Sequence, residues 1–112
     1  MPNRISFVEL PAGAIGPAKS FYADVFDWAL TDFGPTYTCT MSGDVDLGIQ
    51  ADRNEATRAP LPVIQVASLE ATEALVRKAG GTVTRPIFSF PGGKRFHFRD
   101  PAGNELAAMQ AD

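Results

Sequence analysis

Apolar and polar positions along the first half of the chain change period twice. Residues Ile5 to Leu10 alternate, with Ile5, Phe7 and Glu9 on one side and Ser6, Val8 and Leu10 on the other, which is the two-residue period of a strand. The next stretch, "GPAKSFYADVFDW", spaces Ala18, Phe21, Tyr22, Val25 and Phe26 at intervals of three and four, and Pro17 suits a first helical turn. An amphipathic helix with its apolar set facing inward is expected. "WALTDF" then reads as a strand, and "TYTCTM" and "VDLGIQ" read as two more around the turn "SGD".

After the polar "ADRNEATRAP", which reads as a linker, the order restarts. "LPVIQVA" is a strand. "SLEATEALVRKAGG" is a helix with Ser68 as N-cap, Leu69, Leu75 and Val76 facing inward, and Gly80-Gly81 ending it. "TVTRPIF", "KRFHFRD" and "ELAAM" supply three further strands, the last two joined by the Asp100-Pro101-Ala102-Gly103 turn. "FPGGKRF" reads as a hairpin turn with solvated basic residues rather than an anion-binding loop, because it lacks the spacing and following helix of a phosphate loop.

A shift of about 54 residues sets Leu75 on Phe21 and Ile64 on Leu10, so the chain reads as two βαβββ modules, about 1–55 and 60–112. The fold class is α+β: curved, mainly antiparallel sheets around a cup, with helices on the outer faces.

At 112 residues the chain is one domain by length, small enough to gain from a partner, and a homodimer is expected. Ten basic and 13 acidic residues give a net charge of -3 without blocks of one sign, so nucleic acid and anionic membranes are poor partners. The first residues lack the apolar run of a signal peptide, and no stretch approaches the roughly 18 apolar residues of a spanning helix. A soluble, cytoplasmic protein is expected. The single cysteine, Cys39, lies in a strand-like run and reads as a small buried hydrophobe rather than a nucleophile.

The stretches "FVELP", "AKSFYADVFDW" and "FRDPAGNEL" resemble the vicinal oxygen chelate superfamily, which includes glyoxalase I, extradiol dioxygenases, fosfomycin-resistance enzymes and bleomycin-binding proteins. The resemblance covers almost the whole chain and implies paired βαβββ modules in a U-shaped sheet around a metal or ligand. It says little about chemistry, because one scaffold hosts unrelated activities. In relatives that use a metal, His and Glu ligands come from the first and last strands of each module. Those positions fall here at Phe7, Leu61, Ala107 and, depending on register, Leu47 or Gly48. None offers a metal-binding atom, so no metal and no cofactor are expected, and the carbonyl-polarising reaction of a metal glyoxalase is disfavoured.

If Phe7 and Leu61 face the cup, alternation brings Glu9, Val63 and Gln65 there as well. Phe96 and Phe98 should pack under the helix, leaving Arg95, His97 and Arg99 on the opposite face, with Ala107 and Met109 inward and Glu105 near the rim. Tyr37, beside the Gly34-Pro35 turn, is placed at the mouth. The expected ligand pocket is therefore Phe7, Tyr37, Leu61, Gln65, Arg95 and Ala107, an apolar floor with a few polar groups. Glu9 and His97 are the candidate acid/base pair; the alternative is a structural pair that satisfies buried polar groups. A displaced metal site of Glu9, His97 and Asp46 is a further alternative.

The leading expectation is a metal-free protein that binds an unidentified small molecule. The alternatives are a glyoxalase-like lyase or isomerase, or another enzyme, using Glu9 and His97 or a displaced metal, and an interaction domain whose main product is its dimer.

Overall fold

The computed structural model describes residues 3–112. The first two residues, where the first module was expected to begin, lie outside the described residues. The chain divides into two compact units, Phe7–Leu61 and Pro62–Asp112, the latter joined by the residues up to Ser6.

In the first unit, β1 (Arg4–Pro11, from Phe7 onward) is followed by α1 (Ile15–Phe26), β2 (Thr31–Asp32), β3 (Tyr37–Cys39) and β4 (Asp46–Gln50). The sheet order is β2-β3-β4-β1. β1 and β4 run parallel, from Phe7 opposite Asp46 to Pro11 opposite Gln50, while β2–β3 and β3–β4 are antiparallel.

The second unit repeats this with β5 (Leu61–Gln65, from Pro62 onward), α2 (Leu69–Lys78), β6 (Thr82–Phe90), β7 (Gly93–Arg99) and β8 (Glu105–Ala111). Its order is β5-β8-β7-β6, with β5–β8 parallel and the other pairs antiparallel. The expected βαβββ order and mainly antiparallel pairing of an α+β fold are both present. The parallel pair in each unit follows from the helix, which carries the chain back so that the last strand runs beside the first.

The helix faces differ from the expected ones. In α2, Leu69 is buried and Thr72, Glu73 and Val76 are half-buried, whereas Leu75 is 63% exposed. In α1 the half-buried positions include Ile15, Ala18, Lys19 and Tyr22, and Phe21, Val25 and Phe26 are each more than half exposed. The two inward sets differ by the same offset, 69 minus 15 and 76 minus 22 both giving 54. The repeat is therefore real in the helices, but Phe21 and Leu75 are equivalent on the outward side. Neighbouring residues on a helix are 100° apart, so the half-buried Tyr22 and Val76 leave Phe21 and Leu75 on the exposed side. On the half-buried side of α1, Lys19 pairs with Asp32 of β2 at 2.9 Å.

α2 starts as the sequence implied: the Ser68 hydroxyl accepts from the Ala71 N–H at 3.3 Å. The Gln110 side chain of β8 accepts from the Leu69 N–H at 2.8 Å, which satisfies a second free donor of that first turn. Beneath the helix, Val66, Leu69, Phe96 and Ala108 form a buried core, with Ile64, Val76, Val83, Ile87 and Phe98 packed against it. Between β6 and β7, Pro91 and Gly92 make a two-residue turn, Gly92 at φ 108°.

Candidate acid-base site of the second unit

In the first unit, Phe7 and Glu9 project from the same side of β1, and Glu9 is buried. Gly48, opposite Glu9, settles the register question between Leu47 and Gly48. A Cβ on Gly48 would overlap the Phe7 ring and the Tyr37 hydroxyl, so Gly48 faces the same side as Phe7 and Tyr37. Val63 and Ala107 are paired in the second unit as Glu9 and Gly48 are in the first. Tyr37, expected at a mouth, is half-buried against this glycine.

The positions that hold a metal in metal-using relatives thus carry a benzyl ring at Phe7 and no side chain at Gly48. Leu61 and Ala107, at the other such positions, are fully buried. These residues do not fit a metal, since none supplies a donor atom and the space over Gly48 is filled by Phe7 and Tyr37. The Asp46 carboxylate is occupied locally: one oxygen accepts from the Thr40 hydroxyl, the Ser42 N–H and the Ser42 hydroxyl, each at 2.7 Å, and the other from the Gly43 N–H at 3.1 Å. Among the described residues there is no group of three or more His, Cys, Asp or Glu able to hold a metal ion. Cys39 is buried, and its burial pushes the thiol pKa up, which keeps it protonated and unreactive.

In the second unit, pairing of β7 with β8 sets His97 opposite Ala107, Arg95 opposite Met109 and Arg99 opposite Glu105. Phe96 and Ala108 are in the core under α2, so Arg95, His97, Glu105, Ala107 and Met109 occupy the other face, as alternation implied. Gln65 is half-buried at the end of β5, opposite Met109. His97 is buried, at 3% exposure.

Its carboxylate partner within the unit is Glu105, whose Oε2 lies 3.4 Å from His97 Nδ1. The Thr84 hydroxyl donates to the same oxygen at 3.1 Å. His97 Nε2 is buried and has no hydrogen-bond partner among the described residues. Glu9 belongs to the first unit and His97 to the second.

Four residues of β6 and β7 complete this face. The Phe88 ring lies 5.6 Å from the imidazole, the Arg85 guanidinium carbon sits 3.6 Å from the Phe88 ring centroid, and that of Arg95 lies 5.3 Å from Phe88 and 5.4 Å from Phe90.

Alternation along β6 puts Val83 and Ile87 toward the core and Thr84 and Phe88 on the opposite face, but it would leave Arg85 on the core side. Register shifts between Val83 and Arg85 and between Arg85 and Phe88 each insert one residue, which pairs Arg85 with His97 and restores the alternation by Phe88. The sequence reading missed Thr84, Arg85, Phe88 and the pairing role of Glu105. The available signal was Pro86 in the middle of a nine-residue strand, since proline within a strand marks a bulge or an edge.

Burial, assisted by the positive charge of Arg95, holds the His97 pKa below its ordinary 6.5, and Glu105 opposes this only in part. The imidazole is therefore neutral at neutral pH, with Glu105 favouring the proton on Nδ1 and leaving a lone pair on Nε2. A stability consequence follows. The unfolded chain binds a proton at His97 more readily than the folded one, so stability is full above about pH 6.5 and falls as pH drops from there toward the lower folded-state value. The melting temperature of the wild type should decline between pH 7.5 and 5.5, and that of His97→Gln should decline less. Equal declines would remove His97 as the cause. Asp46, whose carboxyl is held below its ordinary 3.8 by the Thr40, Ser42 and Gly43 donors, contributes only in a separate window at lower pH.

The Glyoxalase/Bleomycin resistance protein/Dioxygenase superfamily model matches residues 4–108. No curated protein matches the sequence. Among solved structures, an NAD-dependent benzaldehyde dehydrogenase from Legionella pneumophila is 17% identical with a TM-score of 0.75, covering 95% of this chain and 98% of its own. The methylmalonyl-CoA epimerase from Mycobacterium tuberculosis is 13% identical with a TM-score of 0.75, covering 96% and 87%. The Mn(II)-bound glyoxalase from Novosphingobium aromaticivorans is 19% identical with a TM-score of 0.72, covering 97% of this chain and 39% of that one. At these identities the structures speak for the fold alone, and their differing names accord with one scaffold carrying several chemistries. The family match over nearly the whole chain, on two βαβββ units, places this protein in the Glyoxalase/Bleomycin resistance protein/Dioxygenase superfamily.

Proposed function

We propose that this protein binds a small organic anion without a metal, on the face of β6, β7 and β8 that points away from α2. The observation that carries the reading is the gathering of Arg85, Arg95 and His97 around the Phe88 ring, with Glu105 beside His97. Guanidinium groups attract a carboxylate, and aromatic rings favour a planar body, which together form the usual make-up of a small-molecule site. Phe7, Gly48, Leu61 and Ala107 speak against metal chemistry at the positions where metal-using relatives bind the ion. The test is a calorimetric or NMR titration with a set of small aromatic and aliphatic carboxylates, together with elemental analysis after mild purification. Micromolar to millimolar binding of at least one carboxylate, without a stoichiometric transition metal, supports the reading. One tightly held metal equivalent per chain, or no binding across the whole set, overturns it.

Acid/base catalysis is a second reading, favoured by the Glu105–His97 contact. A carboxylate at Nδ1 stabilises the imidazolium formed when Nε2 takes a proton. Glu105 then fills the role first assigned to Glu9.

Self-association is also proposed. Phe21, Val25, Phe26 and Trp28 leave 39–55% of their surface exposed on and beside α1, with Tyr22, Phe26 and Trp28 stacked on one another. Exposed apolar clusters of this kind mark interaction surfaces, and a second copy of the chain is the simplest occupant. Sedimentation at micromolar concentration should give a dimer, and Phe26→Asp should give a monomer with an unchanged circular dichroism spectrum. No helix among the described residues is long and apolar enough to cross a membrane. Together with the single reduced cysteine, this supports a proposed cytoplasmic location.

A further inference from the structure

His97 Nε2 is a buried acceptor on this face that has no hydrogen-bond partner among the described residues. Leaving a buried acceptor without a donor is costly, so most are paired in folded proteins. Here the opposite ring nitrogen is held by Glu105 at 3.4 Å, and Glu105 is fixed in turn by Thr84 at 3.1 Å. The Phe88 ring, tilted 56° to the imidazole at 5.6 Å, limits its rotation. The arrangement therefore presents an oriented lone pair rather than a ring free to flip.

We infer that His97 Nε2 is the hydrogen-bond acceptor that reads a hydroxyl or N–H donor on the bound ligand, so that the preferred ligands are planar carboxylates bearing a donor on the far side of the ring, hydroxyaryl carboxylates above all. This rests on the small-anion reading given above and assigns it a chemical class. The carboxylate meets the positive potential of the guanidinium groups, the aryl body lies against Phe88 or Phe90, and the donor ends at Nε2. Glu105 and Thr84 are positioning residues: they fix the tautomer and do not touch the ligand. The site discriminates because a ligand without the donor leaves the buried acceptor unpaired in the complex.

The chain contains a single histidine, so the imidazole can be observed directly. With 15N-histidine label and no ligand, proton-nitrogen correlation spectra should show the proton on Nδ1 and an unprotonated Nε2. Adding 4-hydroxybenzoate should shift Nε2 toward the hydrogen-bonded position. Benzoate should bind about five-fold more weakly or worse and leave Nε2 unmoved, the ratio corresponding to one neutral hydrogen bond. In His97→Gln, checked for folding by melting, the preference for 4-hydroxybenzoate over benzoate should disappear. Glu105→Gln should move the proton between the ring nitrogens and reduce the preference.

A resting proton on Nε2 overturns the inference even without any ligand. Equal binding of the two benzoates to the wild type also overturns it, since an internal water would then satisfy Nε2, but leaves the small-anion reading standing. Failure of every carboxylate to bind overturns that reading as well.

Discussion

Phe96→Ala is expected to lower the stability of the protein by about 3–5 kcal/mol, a large part of the 5–15 kcal/mol typical of a domain. Phe96 is fully buried, shares the core with Val66, Leu69 and Ala108, and meets the Phe98 ring at 5.8 Å. Removing it opens a cavity between α2 and β7 that neither element can close, because Leu69 is held by the Gln110 side chain and β7 is paired on both edges. His97→Gln gives the scale for comparison. The neighbouring side chain is also buried, but it faces the other way and leaves behind a shorter polar group, so about 1–3 kcal/mol is expected. Chemical denaturation of both variants at pH 7.5 checks the order. If His97→Gln proved the more damaging of the two, the histidine would be a stability residue first and the proposed reader of a ligand only second.

Gly93→Ala should cost about 1–3 kcal/mol although it adds one methyl group. Gly93 starts β7 opposite Ala111, and a Cβ there would overlap the carbonyl oxygen of Gln110 and lie 3.1 Å from the Ala111 Cα. Backbone on a paired strand cannot step aside as a side chain can. The substitution should therefore lift the end of β8 and speed amide exchange at Ala111 and at Asp112, whose N–H bonds the Gly92 carbonyl at 3.0 Å. Gly13→Ala is the control, since nothing lies within 4 Å of its would-be Cβ, and it should stay within about 0.5 kcal/mol of the wild type. Equal stability of the two variants would mean that the close approach of β7 to β8 is not fixed.

Element type and order were readable from the chain alone. Period-two runs at 5–10 and 61–67, three-four spacing at 16–28 and 68–81, and turns at Pro91-Gly92 and Asp100–Gly103 name strands, helices and connections, because each depends only on residues near in sequence. The Asp100 turn closes as its residues imply: the carboxylate accepts from the Ala102 and Asn104 N–H groups at 2.9 Å, and Gly103 takes φ 92°. The repeat was readable for the same reason, as was the side of β7 that carries His97.

Tertiary structure decided which arc of each helix is buried. Phe21 and Leu75 are large apolar groups, yet they lie on the exposed arc while their neighbours Tyr22 and Val76 are half-buried, because which arc meets the sheet is set by packing against strands distant in sequence. It also decided the partner of His97. Glu105 reaches the imidazole through the pairing of β8 with β7, and Arg85 is set opposite His97 only because β6 slips register once before it and once after, around Pro86. Local pattern can name a strand, but the register against its neighbour depends on contacts between residues far apart in sequence, and in this protein that register assembles the candidate site.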